Sequence, residues 1–191
     1  MATEFVTRTV AALQKLGIDY MVVGSFSSNV YGHPRSTKDA DFVIELGQSS
    51  IGQLVNEIGA DFKLDPQMSF ETISSTMRYR ISHPATGFTI ELFLLSTDTH
   101  DQARFKRRAS GNIGDGNVTF VPTAEDVVVT KLRWAKGGKR QKDVEDVANV
   151  LAVQAGRLDL EYIRGWCDKH GTRDLLEKLL VEVGDLGQKR P

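Results

Sequence analysis

Two aspartates stand at the start of an apolar run, in Asp39-Ala-Asp41-Phe-Val-Ile. The run predicts a β-strand over Ala40 to Leu46. Residues two apart in a strand point to the same side of the sheet, so both carboxylates face the same way. Like charges this close repel each other unless a cation lies between them, and Mg²⁺ prefers such oxygen ligands together with substrate phosphates. The pair alone also fits an ordinary solvent-facing strand edge.

A glycine and a serine end the preceding apolar run, Asp19-Tyr-Met-Val-Val23, which predicts another strand. A short helix is predicted over Phe26 to Tyr31. Gly24 allows a ligand to approach the backbone closely, and the start of a helix offers free N–H groups and a positive dipole end. Gly24-Ser25 is therefore a candidate phosphate-binding turn.

A third acid, Glu91, interrupts the apolar run Phe88 to Leu95. On a half-exposed sheet it would simply face outward. However, the residues that share its strand face are mostly apolar, and a lone carboxylate among them needs a cation or another partner. Glu91 is thus the third candidate metal ligand.

Strands and helices alternate in the first two thirds of the chain. Further helices are predicted over residues 3–16, from Ser49 onward and over Asp98 to Ala109, with a helical or irregular stretch at Pro66 to Glu71. Further strands are predicted over Thr76 to Ser82 and Asn117 to Val121. From Thr123 only helices are expected: one to Ala135, one resuming at Lys139, then Leu160 to Lys169 and Arg173 to Val183. This order predicts an α+β fold with a mixed β-sheet flanked by helices, followed by a helical C-terminal region.

The composition is that of a globular protein kept inside the cell. The chain has 191 residues, a formal net charge of −1 and one cysteine, Cys167, so a disulfide framework and a cysteine metal site are excluded. The N-terminus lacks the basic and apolar segments of a signal peptide, and the apolar runs are too short for a membrane helix. We expect a cytoplasmic protein without a membrane partner.

Charged clusters in the second half allow two interpretations each. Arg104-Phe-Lys106-Arg107-Arg108 and the stretch from Lys131 to Lys142 fit solvated helix faces, or the border of a site that handles phosphates. Lys131 is either an edge residue whose amine reaches water or a contact to a nucleotide phosphate. Arg140, Asp143 and Asp146 fall on one helix face and could form a salt-bridge ladder or part of a site.

Together these motifs resemble the DNA polymerase β-type nucleotidyltransferase superfamily, in particular the compact bacterial minimal nucleotidyltransferases and the abortive-infection toxin type. The resemblance spans about residues 5 to 155. It includes Gly24-Ser25 with Tyr31-Gly32, Arg35-Ser-Thr37-Lys-Asp39-Ala-Asp41, Val121-Pro122-x-x-Glu125-Asp126, Lys131-Leu132 and Arg140-x-Lys142-Asp143-x-x-Asp146. Those relatives often have Gly-Gly at the first motif and Asp as the third acid, where this chain has Gly24-Ser25 and Glu91.

The resemblance implies a nucleotidyltransferase core over residues 1–122, a helical region over 123–191, and Mg²⁺ as cofactor. Asp39, Asp41 and Glu91 would be catalytic metal ligands, with Glu91 either completing a second metal site or helping to deprotonate the attacking hydroxyl. Nucleotide binding would involve the residues Gly24, Ser25, Lys131, Arg140 and Asp143.

The implied partners are a nucleoside triphosphate such as ATP and an acceptor hydroxyl on RNA, a protein or a small molecule. A protein partner such as an antitoxin, in a toxin–antitoxin or phage-defence setting, is also implied. The alternative is a noncatalytic nucleotide-binding or protein-partner module on the same fold.

Overall fold

The computed structural model describes residues 2–138 and 140–188. Helices fill the N-terminus, the sheet connections and the last third of the chain. They are α1 (Ala2–Lys15), α2 (Gly24–Tyr31), α3 (Ile51–Ile58), α4 (Thr99–Lys106), α5 (Ala124–Ala135), α6 (Gln141–Val153), α7 (Leu160–His170) and α8 (Arg173–Gln188). Over the described ranges, none of these helices combines the length and the apolar character needed to cross a membrane.

The strands form a mixed six-stranded sheet and a separate two-stranded one. They are β1 (Asp19–Val23), β2 (Asp39–Glu45), β3 (Lys63–Leu64), β4 (Ser69–Glu71), β5 (Thr76–His83), β6 (Phe88–Leu94), β7 (Ala109–Asn112) and β8 (Val118–Val121). The large sheet has the order β1-β2-β6-β5-β3, with β4 also paired to β5, and β7 pairs with β8. Only β2 and β6 run parallel; the other pairs are antiparallel. The predicted α+β fold with a mixed sheet and a helical C-terminal region is confirmed.

Local sequence signals explain where several helices begin. The Ser50 side chain accepts a hydrogen bond from the Gln53 backbone N–H, and the Gln53 side chain accepts one from the Ser50 backbone N–H, so α3 begins with a complete capping box. At α5 the Thr123 side chain accepts from the Asp126 backbone. Asp126, however, accepts from the Thr123 hydroxyl and not from its backbone, so α5 begins with only half of a capping box.

Apolar residues divide into separate buried clusters. The largest lies on one face of the large sheet, under α1 and α3, and is built from residues between Phe5 and Val121. A second is built from residues between Ala124 and Leu179 on the C-terminal helices. A small third cluster on the other sheet face joins Phe105 of α4 to Met21, Val23 and Val43. This other face carries the candidate site.

The buried Asp126 carboxylate connects the strand-containing part to the C-terminal helices. It accepts hydrogen bonds from the Tyr162 hydroxyl at 2.7 Å and from Arg107 Nε at 3.3 Å, and it lies 3.2 Å from His100 Nε2. These donors come from α4, the residue after it, and α7, so Asp126 at the start of α5 fixes the C-terminal helices against the sheet.

Some predicted element bounds were wrong. The stretch from Pro66 to Glu71 is not helical, because Ser69–Glu71 pairs with β5 as a short edge strand. The basic helix ends at Lys106 and not at Ala109, since the Arg108 guanidinium binds the Phe105 carbonyl at 2.8 Å and Ala109 begins the pairing with β8. Lys139, predicted to begin a helix, lies outside the described residues, and α6 begins at Gln141.

Candidate functional site

The register of the sheet brings the three candidate acids to one place. Asp41 on β2 pairs with Val23 on β1 and with Glu91 on β6. Asp39 lies two residues earlier on β2, on the same face as Asp41, and accepts a hydrogen bond from the Thr37 hydroxyl. Asp39, Asp41 and Glu91 all line one cavity of about 600 Å³, a volume typical of ligand sites.

Gly24 is the first residue of α2 and lies directly against Asp41. Its φ of +63° lies in the left-handed region that favours glycine, and a Cβ added there would meet Asp41 Oδ2 at 1.9 Å. Glycine is therefore required at this position for two reasons: the positive φ of the backbone, and the Asp41 carboxylate, which leaves no space for a Cβ. The helix N-terminus thus opens beside Asp41, with Ser25 also lining the cavity.

The Asp41 carboxylate accepts no hydrogen bond from the residues that the structure describes. Burial, followed by repulsion from Asp39 and Glu91, raises the pKa of Asp41 from 3.8 to about 7, although Lys131 and Arg140 act in the opposite direction. A carboxylate that is half-buried on a cavity wall, crowded by like charges and free of hydrogen bonds is suited to a cation.

Glu91 differs because its carboxylate is already paired. Arg78 Nη1 and Arg80 Nη2, both from β5, lie 3.1 Å and 3.0 Å from its two oxygens. In the described part of the chain, no three His, Cys, Asp or Glu side chains come close enough together to hold a metal ion. The donor set at Asp39 and Asp41 therefore fits a Mg²⁺ ion that is completed by phosphate oxygens and water, whereas Glu91 would first have to leave its arginines.

A second group of acids lies on α6, where Asp143 lines the same cavity and Asp146 lies one helical turn further on. Asp146 accepts from Arg35 Nε at 2.9 Å and from Lys131 Nζ at 2.7 Å, and Lys131 Nζ also donates to Asp143 at 2.8 Å. Burial alone would raise the pKa of Asp146, but the hydrogen bonds from Arg35 and Lys131 hold it below its usual value. Arg35 Nη2 also donates to the Ser25 hydroxyl at 3.0 Å, which connects this group to the glycine turn.

Arg140 stands at the cavity rim, just before α6. Its Nε lies 2.7 Å from Asp143 Oδ2 without the alignment of a hydrogen bond, and its guanidinium lies over the Trp134 ring at 4.6 Å. All the residues predicted to bind nucleotide, Gly24, Ser25, Lys131, Arg140 and Asp143, line the same cavity. Arg140 and Asp143 thus form an ion pair and also line the cavity, so the two interpretations of these residues are compatible.

Four cavity-lining arginines and a histidine were not among the predicted site residues: Arg35, Arg78, Arg104, Arg133 and His100. Arg35 is bound to Asp146, 111 residues away, and no local pattern announces such a pair. For Arg104 a local signal for burial did exist, because an acid that could pair with it, Asp101, lies three residues earlier and the apolar Phe105 follows it directly. His100, which no sequence motif singles out, is 1% exposed and packed between Asp126 and Trp166.

Comparison with known proteins shows which fold this is. No protein-family model matches the chain, and no curated protein sequence matches it. The solution structure of the antibiotic-resistance factor ANT(2'')-Ia aligns over 100% of both chains with a TM-score of 0.60 and 9% identity. The crystal structure of ANT(2'')-Ia in complex with adenylyl-2''-tobramycin aligns over 90% of this chain and 98% of that chain, with a TM-score of 0.59 and 10% identity. ANT(2'')-Ia is an aminoglycoside nucleotidyltransferase, and the chain has the nucleotidyltransferase fold.

Proposed function

We propose that the protein is a Mg²⁺-dependent nucleotidyltransferase, which moves a nucleoside monophosphate from a nucleoside triphosphate such as ATP to an acceptor hydroxyl. The observation that carries the proposal is the Asp41 carboxylate. It lies against Gly24 at the N-terminus of α2, between two other acids, and lacks a hydrogen bond from the described residues. A cation would neutralise it, and the helix N-terminus beside it offers N–H groups to a phosphate.

Asp39 and Asp41 are the residues proposed to hold Mg²⁺. When bound, the ion neutralises phosphate charge and favours attack at the α-phosphorus. The backbone of Gly24 and the hydroxyl of Ser25 bind phosphate oxygens, and Lys131 and Arg140 supply positive charge from the helix side of the same cavity. These groups hold the triphosphate in line for displacement.

Glu91 is proposed to take the proton of the acceptor hydroxyl. A bond then forms from the acceptor oxygen to the α-phosphorus while the bond from that phosphorus to the bridging oxygen breaks, and pyrophosphate leaves. Glu91 acts in this way only after its contacts with Arg78 and Arg80 are loosened. Release of Glu91 is thus the conformational requirement of the proposal.

The acceptor is proposed to be a hydroxyl of RNA, of a protein or of a small molecule. The adenylylated tobramycin in the ANT(2'')-Ia complex supports the small-molecule class. The resemblance to abortive-infection toxins supports RNA or protein in a phage-defence setting, with an antitoxin as partner. The division into a core over 1–122 and a helical region over 123–191 belongs to the same proposal, and the separate apolar clusters support it.

The second candidate is a noncatalytic nucleotide-binding module. One observation favours it, namely that both oxygens of the third acid are held by arginines. In such a module, Asp39 and Asp41 bind a nucleotide–Mg²⁺ complex and no acceptor is activated.

The test is transfer of label from each α-labelled nucleoside triphosphate, with Mg²⁺, into separate RNA, protein and small-molecule fractions. Asp41→Asn is compared with Glu45→Gln, an exposed acid on the same strand. Label in one fraction that is lost only in Asp41→Asn supports the enzyme and identifies the acceptor class. Nucleotide binding that requires Asp41, without any transfer, supports the noncatalytic module. Absence of Mg²⁺-dependent nucleotide binding contradicts both.

A further inference from the structure

The basic stretch on α4 is split between two environments. Arg107 binds Asp126 and lies over the Tyr162 ring at 4.0 Å, and Arg108 binds Asp19 at 2.7 Å. Arg104, in contrast, points into the cavity and is 6% exposed. The solvated helix face that the sequence allowed therefore does not include Arg104.

The Arg104 guanidinium is held on one side and free on the other. Its Nε donates to Asp101 Oδ1 at 2.8 Å, and the Ser96 hydroxyl fixes Asp101 through Oδ2 at 2.6 Å. Neither Nη1 nor Nη2 makes a hydrogen bond to the residues that the structure describes. Five N–H donors are available on a guanidinium, so a buried, oriented fork of donors faces the cavity.

The surroundings of this fork form what we name the inner compartment, lined by Val43, Phe93, Arg104, Val127 and Thr130. Val43 lies two residues beyond Asp41 on the same strand face and pairs with Phe93. Phe105, next to Arg104, packs against Val43. The cavity therefore continues from the carboxylates along the sheet face to α4.

The inner compartment differs chemically from the phosphate end. Its Val43, Phe93 and Val127 walls are apolar, the charge of Arg104 is matched by Asp101, and the Thr130 hydroxyl is buried without a hydrogen-bond partner among the described residues. A phosphate or a polycation would suit neither the apolar walls nor the balanced charge. A neutral planar ring with hydrogen-bond acceptors on its edge suits both.

We propose that the inner compartment binds the base of the nucleoside triphosphate, and that Arg104 selects a base with two adjacent acceptors. This inference rests on the proposed function. Guanine offers O6 and N7, and cytosine offers O2 and N3, to the two free nitrogens of the fork. Adenine places an N–H₂ donor beside N7 and beside N1, and uracil separates its carbonyls by an N–H, so either base leaves one guanidinium nitrogen unmatched.

The expected discrimination follows from the bidentate contact. Arginine paired with O6 and N7 of guanine discriminates by about 1–3 kcal/mol in nucleic-acid recognition, which corresponds to roughly 5- to 150-fold in affinity. We expect GTP or CTP to bind at least about fivefold more tightly than ATP and UTP.

The experiment measures affinity for the four nucleoside triphosphates, and for inorganic tripolyphosphate, each with Mg²⁺. It uses the wild type, Arg104→Lys and Arg104→Gln, with Arg108→Gln as the matched control on the outer side of the same segment. Arg104→Lys keeps the charge opposite Asp101 and loses the fork, so it separates base selection from folding. The expected result is a preference for GTP or CTP that disappears in Arg104→Lys, while tripolyphosphate binding and the control are unchanged.

Other outcomes overturn the inference. These are equal wild-type affinity for all four nucleotides, preference for ATP or UTP, or a preference that persists in Arg104→Lys. Transfer activity measured on the same samples keeps the proposals apart. Transfer without base selection by Arg104 refutes this inference and leaves the enzyme proposal standing, whereas absence of nucleotide binding refutes both.

Discussion

Two groups of carboxylates, one on the strands at the cavity and one on α6 beside it, are in opposite electrostatic states. On the strand side, Asp41 has no hydrogen-bond donor and burial with its acidic neighbours raises its pKa to about 7. On the helix side, Asp146 is bound by Arg35 and Lys131, and its pKa is held below the usual value. Asp41 in the strand group therefore lacks a positively charged partner. Asp146 in the helix group has two, the side chains of Arg35 and Lys131.

The contrast assigns different tasks to chemically identical side chains. A buried charge that lacks a partner reduces stability until a ligand supplies the partner, and a paired one becomes costly only when the partner is removed. The same change from aspartate to asparagine should therefore act in opposite directions on the two sides.

The largest effect is expected on catalysis at the strand side. Asp41→Asn should lower the transfer rate by roughly 10²–10³-fold, the range for removing a group that stabilises transition-state charge. The measurement is label transfer under saturating nucleotide and Mg²⁺. Glu45→Gln, on the same strand, should retain the wild-type rate, and an active Asp41→Asn protein would remove the strand group from the site.

The next largest effect is expected on stability at the helix side. Asp146→Asn leaves Arg35 and Lys131 with weaker partners, so the free energy of unfolding should fall by about 2–3 kcal/mol, near the lower end for a broken buried pair because Lys131 keeps Asp143. Urea unfolding measures the loss. The exposed pair of Asp168 and Arg173 provides the comparison, since Asp168→Asn should cost less than about 1 kcal/mol.

A smaller effect of opposite sign is expected from Asp41→Asn on stability without Mg²⁺. The folded-state pKa of Asp41 is raised from 3.8 to about 7, so the folded protein holds this proton more tightly and the wild type loses stability as pH rises through that window. At pH 8 Asp41→Asn should be more stable by about 1–2 kcal/mol, reduced for partial solvent screening, and the gain should vanish towards pH 4. Urea unfolding in a chelator at several pH values tests this, and a destabilised Asp41→Asn at pH 8 would contradict the contrast.

Sequence reasoning found the strand side better than the helix side. The bounds of β1 were predicted to the residue and those of β2 within one residue, because both are apolar runs bounded by polar or glycine residues. Gly24, Asp39 and Asp41 could be singled out because their chemistry follows from strand period and turn geometry, which are local.

The helix side depends on contacts that no local pattern contains. Arg35 and Asp146 are 111 residues apart, so sequence could offer Lys131 and Asp143 as site residues without showing that they bind each other. The inward direction of Arg104 follows from how α4 packs through Phe105 on the sheet. β4 was missed because it is a short edge strand whose Phe70 is exposed, and its pairing with β5 is what orders it.

The smallest predicted effect concerns Glu91, which lies on the strand side but is paired like the helix side. Arg80 is half exposed and contacts only one Glu91 oxygen, so Arg80→Gln should change the free energy of unfolding by less than about 1 kcal/mol. If Glu91 completes the metal site after leaving its arginines, the Mg²⁺ concentration for half-maximal nucleotide binding should fall, by no more than about fivefold. Arg164→Gln, which breaks a surface pair with Glu177, should leave it unchanged. A Mg²⁺ requirement that is unaltered in Arg80→Gln would exclude Glu91 as a ligand of the ion, restrict it to the proposed role of base, and leave Asp39 and Asp41 as the protein's whole contribution to the ion.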